Sequence, residues 1–137
     1  MAFEAERRFV NGFVRPDRRE RLLFELTNPK KRYRGLDRFC HQSAELIDEK
    51  KIMLQGRDLE RQPAFADFAA RHAGDCTILS PDGMLDGCVA PFAEAAALAF
   101  AGLDAAIALG DGFALVVGEA EKGGRAAYLL INDNMKG

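Results

Sequence analysis

The hydrophobic period changes near residue 75, and that change constrains the fold more than any other feature of the sequence. Before it, apolar residues recur three or four apart: Leu22, Leu23 and Leu26, then Tyr33, Leu36, Phe39 and Cys40, then Phe65, Phe68, Ala69 and His72. This spacing puts one apolar stripe on each of a series of helices. After it, apolar residues come in short runs at 76–79, 105–109, 113–118 and 126–131, bounded by turn residues. Such runs suit strands. Helices followed by hairpin-linked strands make an α+β chain, with a helical N-terminal half packed on a small antiparallel sheet.

Local signals sharpen this reading. Helices are expected at 3–11 with Gly12 as a stop, at 16–27 behind Pro16, and from Pro29 to about 41, continuing raggedly to 47. Another should span 64–73. Short strands are expected at 51–54 and 84–89, with polar loop at 56–63. Asp111-Gly112 suits a tight hairpin turn, and 121–124 a second one. The segment 91–101 opens with Pro91 and carries Glu94 as its one charge. A helix with so little charge is expected to be buried, packed across the sheet.

A chain of 137 residues fits one domain, 1–137, and buries enough surface to fold without metal or disulfide. No run of about 18 uncharged apolar residues exists, so no membrane span is expected. The charged start MAFEAERRF does not resemble a secretory signal, which favours the cytoplasm. Three cysteines, Cys40, Cys76 and Cys88, are an odd count and contain no C-x-x-C. Free thiols, no metal and no cofactor are expected.

Charge is unevenly spread. Residues 1–40 hold 11 Lys or Arg against 6 Asp or Glu, while 41–137 hold 8 against 15. The basic helix 29–40 is the candidate anion site, since Lys31, Arg34 and Arg38 stand at i, i+3 and i+7 and Tyr33 offers a ring for stacking. The competing expectation is that Glu25, Asp37 and the acidic C-terminal half pair with these cations inside the fold. With no helix-turn-helix signature and an acidic chain overall, the second is preferred and no nucleic-acid role is expected.

Two blocks carry a family resemblance. In LLFELTNPKKRYRGLDRFCH the residues are Pro29, Lys30, Arg32, Leu36 and His41; in HAGDCTILSPDGMLDG they are Cys76, Ile78, Ser80, Asp86 and Gly87. With the C-terminal strands, the chain resembles an uncharacterised bacterial family that has a PKxR…H helix, a C-x-I-x-S strand followed by a DG loop, and a terminal β-meander. Thr77 departs from the pattern, which has an aromatic there. The resemblance implies a bacterial, soluble protein and no particular activity.

The polar candidates are few. His41 and Asp86 both fall near element ends, and a carboxylate-oriented histidine is a common general base. The same pair equally suits a structural tie between a helix and a loop, which is the preferred reading. Glu94 would be an acid if buried and a solvated first-turn residue if exposed. His72 reads as a core or boundary histidine. Glu119 and Glu121, at a strand end, offer carboxylates to a cation but read as solvated. The sequence therefore points to a small cytoplasmic regulatory or interaction protein without catalysis, acting through a protein partner or as a homodimer. A ligand-binding or catalytic site around His41 and Asp86, and a nucleic-acid module on helix 29–40, are the alternatives.

Overall fold

The computed structural model describes residues 3–119 and 125–132. Helix α1 spans Glu4–Phe13, α2 Arg19–Leu26, α3 Arg32–His41 and α4 Ser43–Leu46. Strand β1 is Ile52–Arg57, α5 is Pro63–Arg71, β2 is Asp75–Leu79, β3 is Val89–Pro91 and α6 is Phe92–Ala101. Strands β4 (Ala106–Leu109), β5 (Phe113–Val117) and β6 (Ala126–Ile131) complete the six-stranded sheet, ordered β1-β6-β5-β4-β2-β3. All neighbours are antiparallel.

The fold class is the one the period change implies, α+β with an antiparallel sheet. Several details differ locally: the strand expected at 84–89 is turn up to Gly87, with strand only at Val89–Pro91, and β1 runs on to Arg57 into the expected 56–63 loop. Helix α1 runs through Gly12 to Phe13, because Phe9, Val10 and Phe13 all reach the core. Helix α3 begins at Arg32, not Pro29; Asn28 first closes a turn by accepting a hydrogen bond from the Lys30 amide at 3.0 Å. The β4–β5 hairpin turns at Asp111-Gly112, with Gly112 at φ 85°. The second turn expected at 121–124 lies outside the described residues.

The sheet is the middle of three layers. Ile107, Leu109, Ala114, Val116 and Leu130 face α1–α4, packing on Phe9, Leu22, Leu26, Leu36 and Phe39. Ala106, Ala108, Phe113, Leu115 and Leu129 face α5 and α6. Strands β4 and β5 are thus buried on both faces, which is why they read as continuous apolar runs, not as alternation. On the α5–α6 side, Phe65, Phe68, Phe92 and Phe113 interlock with ring centroids 4.9–5.9 Å apart. Rings packed this way add about 0.5–1.5 kcal/mol per pair beyond the burial itself.

Helix α6 lies on the sheet through Phe92, Ala95, Ala96 and Ala99. The expectation that 91–101 is a buried helix is therefore corrected: only the face on the sheet is buried, and most of the segment is exposed. Ala93, Glu94, Ala97, Leu98 and Ala101 are exposed, because among the described residues no layer covers α6 from outside.

Candidate functional site

Several of the residues singled out in the sequence fall into two charged clusters on α3. The first is built around Arg32. Its Nε and Nη2 donate to the two carboxylate oxygens of Asp86, each at 2.9 Å, a bidentate fork. Its Nη1 donates to Glu6 of α1 and to the Leu26 carbonyl. The Asp86 hydrogen bonds push the Arg32 pKa up; burial opposes this, and Glu6 adds to the rise. Asp86 also accepts from the Ser80 amide, and the Ser80 hydroxyl donates to the Ala105 carbonyl at 2.7 Å. One guanidinium therefore fastens α1, the end of α2 and the 80–87 loop to α3.

Arg38 makes a second tie, donating to Glu25 of α2. Glu25 is buried, so this pair holds α2 against α3. Lys31 is not paired with a carboxylate in this way; its ammonium sits over the Phe24 ring, 5.2 Å from the centroid. Arg34 is exposed. The three cations of the anion candidate thus do not act as one free row. The preference for intramolecular pairing describes Arg38 but not Lys31 or Arg34.

The second cluster is built around His41, and Asp86 is not in it. His41 Nε2 stands 3.1 Å from Glu119 Oε1 and 3.4 Å from Asp37 Oδ1. Asp37 and His41 are one helical turn apart on α3, which aligns their side chains on one face. Glu119 arrives from the end of β5. Two contacts fix that end: the Gly118 amide donates to the Ala126 carbonyl at 2.8 Å, and Arg125 Nε donates to the Gly118 carbonyl at 2.9 Å. A Cβ at residue 118 would lie 3.0 Å from the Ala126 carbonyl oxygen, so glycine permits this close crossing.

His41 and Glu119 line an open cavity of about 170 Å³ with Cys40, Ser43, Gly118 and Ala126. The Cys40 thiol is pushed up to about 12, chiefly by burial and then by Glu119, Asp37 and Asp104. A thiol held protonated in this way is a poor nucleophile. Cys76, buried in the core, is pushed up to about 11, again by burial first and Asp75 next. Cys88 is exposed, and all three cysteines are unpaired. His72 caps α5 and stacks on Phe68 at 4.1 Å. Glu94 is exposed on the first turn of α6, away from both clusters by its place on the opposite sheet face.

Sequence reading missed Arg32 as the partner of Asp86, and it missed the Asp37–His41–Glu119 grouping. The i, i+4 spacing of Asp37 and His41 was a usable signal. Glu119, 78 positions further on, joins them only through the sheet topology. Compared with protein-family models, curated proteins and solved structures, the chain matches none.

Proposed function

We propose that this is a small regulatory or interaction protein of the bacterial cytoplasm, acting by binding and not by catalysis. The observation that carries the reading is an exposed apolar surface at the C-terminal end of α6. Met84 and Leu103 are 85 % and 79 % exposed, and Leu98 is also open. The 80–87 loop approaches the end of α6 here: a Cβ at residue 102 would stand 3.7 Å from the Leu85 side chain and 3.8 Å from the Leu98 carbonyl. The outer face of α6 extends this surface through Ala93, Ala97 and Ala101. Large apolar side chains left open in one region of the surface are what a protein contact would cover.

Two further points support the reading. Asp86, the carboxylate of the alternative catalytic pair, is neutralised by Arg32 and serves as a structural tie. Three unpaired cysteines, one of them exposed, suit a reducing compartment. The bacterial assignment rests on the resemblance of the two sequence blocks.

The test is site-specific photo-crosslinking in the source cells. A photoreactive residue at position 84 or 103 is expected to give one discrete protein adduct, which Leu98→Ser weakens. The same residue at position 67, on the exposed side of α5, should give none. Equal adducts at all three positions, or none at 84 and 103, would overturn the reading.

A further inference from the structure

We propose that Asp37, His41 and Glu119 form a binding site for a divalent transition-metal ion of the zinc type. This stands apart from the apolar surface of α6 and does not depend on it. The three residues each offer one ligand atom, and these atoms all lie within 4.8 Å of one another. Tetrahedral ligands about 2.1 Å from zinc stand roughly 3.3–3.5 Å from each other. The Nε2–Oε1 and Nε2–Oδ1 separations of 3.1 and 3.4 Å fall close to that spacing. The two carboxylates each offer an oxygen within 4.8 Å of the other, so all three ligand atoms converge on one point.

Charge favours the same occupant. With His41 neutral, two carboxylates converge on one imidazole and carry a charge of −2. A proton on His41 offsets half of it; a divalent ion offsets all of it. The cluster also sits at the C-terminal end of α3, where the helix dipole favours a cation. The remaining coordination positions open onto the cavity beside Ser43 and Gly118, which has room for water. That arrangement, three protein ligands plus solvent, is an open site and not a closed structural one.

Ligand chemistry narrows the ion. An imidazole with two carboxylates suits zinc, cobalt, manganese or iron(II). Magnesium and calcium prefer oxygen alone and gain little from His41. Cys40 lines the same cavity but is the residue next to His41 on the helix, turned about 100° from it. It is left out of the ligand set.

Isothermal titration of the full chain with Zn²⁺, and absorption titration with Co²⁺, test the site. One ion per chain is expected. Asp37→Asn, His41→Gln and Glu119→Gln should each weaken it by about tenfold or more, since loss of even a metal ligand's supporting partner costs that much. His72→Gln, which removes the other histidine, should leave affinity unchanged, and Cys40→Ser likewise. Circular dichroism checks that each variant is folded. Absence of saturable binding would overturn the proposal. So would binding that survives the three ligand variants, binding lost with Cys40→Ser, or Mg²⁺ or Ca²⁺ binding as tightly as Zn²⁺.

Discussion

The two clusters on α3 have the same plan and opposite uses. Each sets one nitrogen-bearing side chain between two carboxylates from different parts of the chain: Arg32 between Glu6 and Asp86, His41 between Asp37 and Glu119. They differ in solvent. The Arg32 cluster has side chains 9–22 % exposed, and the His41 cluster 36–57 %. They also differ in the central group. A guanidinium keeps its charge at any relevant pH and matches a carboxylate fork, whereas an imidazole can release its proton and present a lone pair. Burial with a permanent cation makes a tie. Exposure with a titratable one makes a site that can exchange its cation.

That contrast is most easily broken at Arg32. Arg32→Met should lower stability by about 3 kcal/mol, because it strands two partly desolvated carboxylates. Denaturant unfolding of the full chain measures it. A loss under about 1 kcal/mol would mean that water compensates the carboxylates and the cluster is no tie. Arg38→Met strands one buried carboxylate, Glu25, and should cost less, about 2 kcal/mol by the same measurement. If the two losses are equal, the second carboxylate on Arg32 adds nothing.

Much of the fold was legible because the elements obey local rules. The helical stripes, the Asp111-Gly112 turn and the apolar strands each depend on neighbours close in sequence. The candidate sites were less legible because their geometry is not local. Asp86 meets Arg32 across 54 positions, and nothing in either neighbourhood encodes that meeting. His41 and Asp86 share motif-like blocks, yet the sheet carries the first to the end of β5 and the second to the loop after β2. The apolar composition of α6 also concealed its exposure. Alanine adds little to either side of the hydrophobic balance, so a charge-free helix can lie half in solvent when its buried face already packs on alanine strands.

A smaller effect concerns the thiols. Burial raises Cys40 from 9.0 to about 12 and Cys76 to about 11. The folded chain therefore holds these protons more tightly than the unfolded chain. Their contribution is fully present below about pH 9 and is lost as pH rises through about 11 and 12. Stability should fall on going from pH 8 to 10.5, and less steeply in Cys40→Ser than in the parent. Lysines and tyrosines titrate in the same range, so the difference between the two slopes is the informative quantity. Identical slopes would mean that the Cys40 thiol is as well hydrated in the folded chain as in the unfolded one.

The smallest expected change in stability is at His41, and it discriminates best between a tie and a site. Exposed ion pairs contribute about 0–1 kcal/mol, since water screens them and side-chain entropy offsets the attraction. Removing the imidazole also relieves nothing that is buried, because all three side chains keep access to solvent. His41→Gln should therefore shift unfolding by under about 0.5 kcal/mol without metal. Saturating zinc should separate the proteins. An ion that binds only the folded state adds about 2.7 kcal/mol at a hundred times its dissociation constant, and the parent should gain this while His41→Gln does not. A large loss without metal and no gain with it would make His41 a structural tie like Arg32, and the contrast between the clusters would disappear. A small loss without metal and a full gain only in the parent would place the two clusters on opposite sides of the line between holding the fold and binding through it.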